Sequence, residues 1–285
     1  MKNAVYIAVI AVLAVTSIFY WQRSRVLSYR LTLIQERIEE SRKEIKEKAL
    51  KEKAEETLRK KAKEALSKAR VAIILDDWGY NVNNVADALA LDAPITFSIL
   101  PNLPFSQRIA RAAQGSGKEV ILHLPMEPYE DLPLEKNTIM TDMTDAQILL
   151  NLEKAILSVP HLKGISNHMG SKATEDERLM SAIFKRMEKG ELYFLDSLVT
   201  NGSVCRDLSR RLGVKFVARS VFLDNESDPE YIKGQIRELA HQALNTGWAL
   251  GIGHDRALTI EVLSVMIPEL KDMGIEIVPV SEIAQ

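Results

Sequence analysis

The sequence has very little cysteine, and this excludes two kinds of protein. Cys205 is the only cysteine among 285 residues, so the chain has neither an internal disulfide framework nor a zinc module built from cysteines. An excess of one charge is also lacking, since 37 Lys and Arg stand against 39 Asp and Glu, for a formal net charge of -2. This balance argues against broad nucleic-acid binding.

Glycine-rich phosphate loops are absent as well. The sequence contains neither a G-x-G-x-x-G fingerprint nor a Walker A sequence, and nucleotide chemistry is therefore disfavoured. Hydrophobic residues make up 46% of the chain and charged residues 27%, which excludes a disordered polymer and a membrane protein with many spans.

One long uncharged run lies at the amino terminus. Residues 4–21 carry no charge and would form about 27 Å of helix, close to the thickness of the bilayer hydrocarbon. Tyr6 and Trp21 lie near its ends, where aromatic rings favour the headgroup level. We expect a transmembrane anchor within residues 1–24, and the alternative is a cleaved secretory signal peptide.

Residues 25–70 contain neither proline nor glycine and are rich in Glu, Lys, Arg, Ala and Leu. This composition predicts one helix of roughly 65–70 Å. One interpretation is a coiled coil, which pairs two copies or recruits another protein. The other is a solvated single helix with i,i+4 ion pairs. The apolar residues with coiled-coil spacing are Leu27, Leu31, Ile34, Ile38 and Ile45.

From residue 71 the pattern changes to short apolar runs that alternate with helical stretches. Strands that are apolar throughout and separated by helices indicate a parallel sheet buried on both faces. Seven or eight such units in residues 71–285 favour an α/β fold, a distorted (β/α)7–8 barrel, and the alternative is an open doubly wound sheet. The predicted strands are 71–75, 94–100, 119–124, 163–167, 192–195, 215–218, 248–253 and 275–280.

Polar residues follow these strands where each strand ends, which is where the active site of a parallel barrel lies. Each alone has an ordinary explanation, such as helix capping for paired aspartates or a backbone-bonded core histidine. Together they are costly to gather unless a function uses them. They include three of the five histidines: Asp76, Asp77, His123, Glu127, His168, Asp196, Arg219 and His254.

A metal site explains this set most economically. One carboxylate and two imidazoles are the ligands of a catalytic divalent ion that keeps positions open for water and substrate. Because neighbouring side chains of an extended segment diverge, we expect one aspartate to ligate the metal and the other to accept a proton from the attacking water. His254, on the opposite side of the rim, would protonate the leaving group. These are the roles of a hydrolase.

Five short motifs, together spanning nearly all of residues 71–285, resemble the divergent branch of the polysaccharide deacetylases, relatives of the chitin-oligosaccharide and peptidoglycan deacetylases. The resemblance implies a distorted (β/α) barrel that hydrolyses N-acetyl groups of amino sugars with a divalent metal, usually zinc. It implies that Asp76 is the general base, that Asp77 and His123 are ligands, and that His254 protonates the departing amine. The motifs are ILDDWG (74–79), LHLPMEP (122–128), SNHMGS (166–171), FLDS (194–197) and GIGHD (251–255).

The sequence departs from the family pattern at two points. Where the main family has a second ligand histidine, four residues after the first, this chain has Glu127. In the expected ligand set His168 replaces that histidine, and direct ligation by Glu127 is the alternative. Trp78 also displaces the family's usual glycine by one place, to Gly79. These departures bear on activity more than on fold.

The expected function is a membrane-tethered, metal-dependent hydrolase that removes N-acetyl groups from a cell-envelope glycan, with Asp196 and Arg219 contacting the glycan or orienting catalytic groups. One alternative is a weakly active or inactive scaffold that binds a glycan or a protein in envelope assembly. A third hypothesis is an amidase with a non-sugar substrate. Such glycans lie outside the cytoplasmic membrane, so we expect a single-pass protein with a periplasmic domain, although three arginines after the anchor favour the cytoplasm.

Overall fold

The structure, a computed structural model, describes residues 2–66, 69–188 and 191–285 and divides into two units, Met1–Ala62 and Lys63–Gln285. The first unit is formed by a single helix, α1 (Lys2–Leu66). The absence of proline and glycine explains why this helix runs without a break.

The helix predicted for residues 25–70 is thus present as far as Leu66, and residues 67–68 of that prediction lie outside the described part. Within α1, side chains are described for residue 13 and residues 16–57. The apolar residues of the coiled-coil spacing, Leu27, Leu31, Ile34, Ile38 and Ile45, are all exposed. Their pairing with a second helix stays a prediction.

A membrane-spanning segment was also predicted, within residues 4–21. Among the residues that the structure describes, no helix is both long enough and apolar enough to cross a bilayer. Most side chains of the predicted anchor, those of residues 4–12, 14 and 15, lie outside the described part. The anchor therefore stays a prediction from the sequence.

The second unit alternates strands and helices, which confirms the predicted pattern. Its strands are β1 (Arg70–Trp78), β2 (Thr96–Ile99), β3 (Glu119–Met126), β4 (Gly164–Met169), β5 (Tyr193–Asp196), β6 (Phe216–Ala218), β7 (Val221–Phe222), β8 (Trp248–His254) and β9 (Glu276–Ile277). Its helices are α2 (Val85–Ala90), α3 (Ser106–Gly115), α4 (Asp145–Ser158), α5 (Glu177–Glu188), α6 (Cys205–Leu212), α7 (Pro229–Thr246) and α8 (Ala257–Asp272).

The strands form one parallel sheet in the order β6-β5-β4-β3-β2-β1-β8-β7, with β9 added beside β1. The described strands include no ladder between β6 and β7, so the sheet curls without closing by hydrogen bonds. The chain itself joins the two edges, because only residues 219 and 220 separate β6 from β7. This half-barrel is the observed form of the predicted distorted barrel.

The curled sheet has two faces with separate cores. Ile73, Leu75 and Trp78 belong to the large cluster that packs under the helices. The inner face carries a smaller apolar cluster from alternate positions of the same strands: Ala72, Ile74, Ile121, Tyr193, Leu195, Val217, Leu250 and Ile252. Because side chains alternate between the faces of a sheet, the next inward positions are 76, 123, 197, 219 and 254. Every one of these positions carries a polar residue.

The carboxyl-terminal segment covers the amino-terminal end of the curl. Val278, Val280 and Ile283 belong to the inner apolar cluster, and the amide of Ser281 donates to Oε1 of Glu119 at the start of β3 (3.1 Å). The strand predicted for residues 275–280 is therefore reduced to β9 and followed by a short 3-10 turn. The carboxyl ends of the strands lie at the other end of the curl, with the candidate site.

Candidate metal centre and active site

A bulge in β1 positions the two aspartates. Leu75 lies opposite Phe97 of β2, but Trp78 lies opposite Ile99, so β1 has one residue more than its neighbour over this interval. Asp77 occupies the left-handed region with φ of 69°, which is uncommon for a residue other than glycine and typical of functional sites. The extra residue lets Trp78 return to the outer core.

The bulge corrects one expectation from the sequence. We expected the neighbouring side chains of Asp76 and Asp77 to diverge, as they would in a regular strand. Instead both carboxylates approach the same imidazole: Nε2 of His123 lies 3.7 Å from Oδ2 of Asp76 and 3.4 Å from Oδ1 of Asp77. The left-handed backbone of Asp77 permits this arrangement.

Asp77, His123 and His168, from β1, β3 and β4, form a group able to hold a metal ion. Nδ1 of His168 lies 3.1 Å from Oδ1 of Asp77 and 3.1 Å from Nε2 of His123. With the 3.4 Å distance between Asp77 and His123, the three atoms make a nearly equilateral triangle. Ligands bound tetrahedrally to zinc at about 2.0–2.1 Å are about 3.3 Å apart, so the triangle fits one divalent ion.

The carboxylate of Asp77 supports the same fit. Its Oδ1 atom is buried and has no hydrogen-bond partner among the described residues, which is costly unless another group satisfies it. Burial disfavours the charge on Asp77, but the two imidazoles outweigh burial and hold the pKa of this carboxyl well below its usual range. A carboxylate that stays ionised and whose buried oxygen lacks a hydrogen-bond donor is suited to a cation.

Two serines behind His123 fix the orientation of its ring. Nδ1 of His123 lies 2.8 Å from Oγ of Ser166, which in turn lies 3.0 Å from Oγ of Ser98 on β2. All three side chains are buried. This contact at Nδ1 leaves Nε2 directed toward Asp77, as partners behind metal-binding histidines commonly do. Neither serine was identified from the sequence.

The environment of Asp76 suits a proton acceptor. Its side chain is almost fully buried, and its Oδ1 atom has no hydrogen-bond partner among the described residues. Burial raises the pKa of Asp76 against the attraction of His123, and repulsion from Asp77 raises it further. A raised pKa makes a carboxylate a better proton acceptor.

His254 ends β8 next to Asp76, since the two residues are paired in register between β1 and β8. Nδ1 of His254 lies 2.7 Å from Oδ1 of Asp224, a buried carboxylate directly after β7. Burial lowers the pKa of His254, but the hydrogen bond and charge of Asp224 outweigh burial, so the pKa is raised. The ring therefore holds its proton at Nδ1 and can donate another from Nε2.

Asp224 was missed in the sequence. The backbone amide of His254 and the hydroxyl of Thr259 both donate to its Oδ2 atom (2.9 and 2.7 Å), which fixes the carboxylate for the imidazole. The signal that identified the other residues, a polar side chain just after a strand, is present here too. It went unrecognised because β7 is only two residues long and gives no detectable period.

Glu127 does not join the cluster. Its Oε1 atom accepts from Nζ of Lys172 (2.7 Å), and its Oε2 atom accepts from the amide and hydroxyl of Thr141 (2.6 Å each). Burial opposes the charge of Glu127, but these donors lower its pKa. The structure thus uses Glu127 to anchor the loop after β3, which does not fit the alternative of direct ligation.

Asp196 and Arg219 lie at the ends of β5 and β6, in one cleft beside the metal group. Asp196 is buried and accepts from the amide of Leu198 (2.8 Å) and the hydroxyl of Ser203 (2.6 Å). Arg219 donates to the carbonyls of Ser197 (2.7 Å) and Leu198 (2.9 Å). These bonds fix the loop after β5, and a role in substrate binding stays a proposal.

Comparison with known proteins gives the family. Residues 73–284 match the model of the divergent polysaccharide deacetylase family. The uncharacterized protein YibQ of Escherichia coli is 36% identical over 201 residues, which cover 70% of this chain and 63% of that protein. The chain therefore spans less than two thirds of that relative's length. An uncharacterized protein of Haemophilus influenzae is 30% identical over 206 residues, covering 72% of this chain and 74% of that protein.

The fold has a solved counterpart. The crystal structure of an uncharacterized protein from Agrobacterium tumefaciens superimposes with a TM-score of 0.73 at 22% identity, covering 76% of this chain and 89% of the other. At this identity the likeness concerns the fold alone. The family match covers nearly the whole curled-sheet unit, including every residue of the metal group. The chain thus belongs to the divergent polysaccharide deacetylase family.

Proposed function

We propose that the protein hydrolyses N-acetyl groups of a glycan with the help of a divalent metal. The observation that carries the proposal is the meeting of Asp77, His123 and His168 at one point, with Asp76 and His254 on adjacent strands beside it. Membership of the family supports a carbohydrate substrate. Zinc is the ion that this donor set of one carboxylate and two imidazoles favours.

The side chains divide the reaction between them. Asp77, His123 and His168 would hold a divalent ion, which would supply Lewis-acid polarisation of the acetamide carbonyl and of a water molecule. Asp76 accepts the proton of the attacking water, since its burial raises its pKa. His254 donates a proton from Nε2 to the departing sugar nitrogen, while Asp224 holds Nδ1. Acetate and a free amino sugar are the products.

The test is acetate release from N-acetylated glycans by the purified protein, together with its metal content. His168→Ala should lose both the metal and acetate release, because one corner of the triangle is removed. His241→Ala is the matched control, since His241 is an exposed histidine on α7. Undiminished metal binding by His168→Ala, or no acetate release from any glycan by the metal-loaded wild type, would refute the proposal.

A glycan-binding or protein-binding scaffold without turnover is the second candidate. The exposed apolar residues of α1 favour it, because such a stripe suits self-association or a helical partner. Elemental analysis separates the two candidates, since a protein without catalysis has no need to retain the ion. Sedimentation of the full chain before and after Leu31→Lys and Ile38→Lys would report on self-association through α1.

We further propose that the uncharged run at residues 4–21 tethers the protein to the cytoplasmic membrane, with the curled-sheet unit in the periplasm. The run is long enough for one span, and envelope glycans lie on that side. A reporter enzyme fused after Gln285 that is active only outside the cytoplasm tests the orientation. Activity only in the cytoplasmic form of the reporter would contradict it.

A further inference from the structure

A polar cleft lies between the carboxyl ends of β5 and β6 and the start of α6. Strand β5 is the neighbour of β4, which carries His168 of the metal group. The volume of the cleft is about 480 Å³, enough for a charged substituent of a sugar. The lining is polar except for Leu198, and it includes two arginines. The lining residues that matter here are Asp196, Asn201, Ser203, Arg206, Arg219 and Ser220.

Arg206 and Arg219 each keep guanidinium N–H donors that have no acceptor within the described part of the chain. Arg219 uses Nε and Nη2 on the carbonyls of Ser197 and Leu198, which holds its guanidinium in place and leaves Nη1 for another acceptor. Arg206 lies on α6 with its guanidinium 5.1 Å from the ring centre of Phe216, and this guanidinium makes no hydrogen bond within the described part of the chain. Two guanidinium groups with unused N–H donors line the same space.

The acidic residues of the cleft are occupied by other partners. The carboxylate of Asp196 accepts from the amide of Leu198 and the hydroxyl of Ser203. Asp207 also lines the cleft, and its carboxylate lies 3.7 Å from Nη1 of Arg210. Neither carboxylate is hydrogen-bonded to Arg206 or Arg219, so the unused donors of these two arginines favour a ligand with several acceptor oxygens.

One aromatic ring connects this cleft to the proton donor. The guanidinium of Arg219 lies 3.7 Å from the ring centre of Phe222, and the same ring stacks on His254 with centres 6.2 Å apart and planes at 19°. The guanidinium of Arg219 and the imidazole of His254 are thus within about 10 Å of each other, with Phe222 next to both. A neighbouring sugar of the same glycan could reach across this distance.

We propose that this cleft binds an anionic substituent of the glycan, a carboxylate or a phosphate, so that the substrate is an acidic N-acetylated glycan. The inference rests on the proposed function in its choice of ligand. Arg219 and Arg206 supply a planar, bidentate recognition of the anion, and Asn201 and Ser220 add neutral donors. The anion orients the glycan so that the acetamide faces the metal group.

The test is calorimetric binding to the full chain in detergent, with a chelator present so that hydrolysis plays no part. Three glycans of equal length are compared: a neutral N-acetylglucosamine oligomer, one with carboxylate groups and one with phosphate groups. We expect at least one acidic glycan to bind about tenfold or more tightly than the neutral one, with the preferred acid identifying the substituent.

Two variants and a control assign the preference to the cleft. Arg206→Gln should reduce the preference severalfold, and Arg219→Gln should abolish it. Arg211→Gln, which removes the same charge from α6 where it pairs with Glu177 outside the cleft, should keep it. Arg206 is exposed and unbonded, so its variant folds even if loss of Arg219 disturbs the loop after β5.

Equal affinity for acidic and neutral glycans, a preference that survives Arg206→Gln undiminished, or no binding of any glycan would overturn the inference. Acetate release, measured separately with metal, decides the proposed function. Tight binding of an acidic glycan without acetate release would contradict only the hydrolysis.

Discussion

The two sides of the site hold their histidines in different ways. On the metal side, the ring of His123 contacts the hydroxyl of Ser166, which carries no charge. On the opposite side, the ring of His254 contacts the buried carboxylate of Asp224. Both contacts are made by Nδ1, so the partner behind the ring is the principal difference.

That difference supports the roles proposed for the two histidines. A hydroxyl orients an imidazole without adding negative charge, which leaves it available as a neutral metal ligand. A buried carboxylate stabilises the imidazolium and raises the pKa of His254 against the effect of burial, which suits a proton donor. One residue type thus serves two functions in one site, according to what lies behind it.

The metal side should respond most strongly. Asp77→Asn keeps the size of the side chain but removes the charge that balances the cation. We expect loss of bound metal and a fall in kcat/KM on the order of 10³-fold or more, because the ion supplies several kcal/mol of stabilisation to the transition state. Elemental analysis and acetate release measure the two effects. Full metal occupancy in this variant would show that Asp77 is not a ligand.

The acid side should lose rate without losing metal. His254→Ala removes the proton donor and should lower kcat by about 10²–10⁴-fold, while the metal content stays at the wild-type level. Both are measured on the same preparation. If the metal is lost as well, the division of the site into two sides is wrong.

The hydroxyl behind His123 should have a smaller effect, confined to the metal side. Ser166→Ala leaves the ring of His123 without its fixed orientation, and metal affinity should fall by about 10–100-fold. Titration with a competing chelator measures this affinity. At saturating metal the pH profile should match that of the wild type, and a displaced profile would indicate that Ser166 also acts on proton transfer.

The smallest effect is expected from Asp224→Asn, and it should appear in the pH profile. In the proposed mechanism His254 donates a proton, so activity should fall as pH rises through the pKa of its imidazole. Burial lowers this pKa and Asp224 raises it; without the negative charge the alkaline limb should move to lower pH, by about one unit. An unmoved or upward-shifted limb would contradict the assignment of the proton donor. A thermal melt checks that the buried substitution leaves the protein folded.

Much of the fold could be predicted because its signals are local. The apolar strands and the amphipathic helices between them each carry their own period, and α4 begins with a local capping box formed by Thr144 and Gln147. The open form of the sheet could not be predicted, since it depends on the chain passing from one edge strand, β6, to the other edge strand, β7, through only two residues. The position of residues 278–283 against the inner apolar cluster could not be predicted either. A short apolar run has the same sequence pattern whether it forms a strand or a covering turn.

The site could be predicted only as a set of side chains at strand ends. Parallel strands bring their carboxyl ends to one edge, which explains why His123 and His168 meet without being near in sequence. The bulge at Asp77 had no sequence signal, so the convergence of both aspartates was unexpected. Asp224 and Ser166 were missed because their function lies in the side chains that they contact. Glu127 was considered as a ligand because it stands where the main family has a histidine, and its salt bridge with Lys172 is a long-range contact that the sequence does not reveal.

The most direct test of the metal centre is X-ray diffraction at the zinc absorption edge from crystals of the full chain grown with zinc. We expect one strong anomalous peak within bonding distance of Oδ1 of Asp77, Nε2 of His123 and Nδ1 of His168. A peak beside Glu127 instead, or none at saturating zinc, would contradict this expectation.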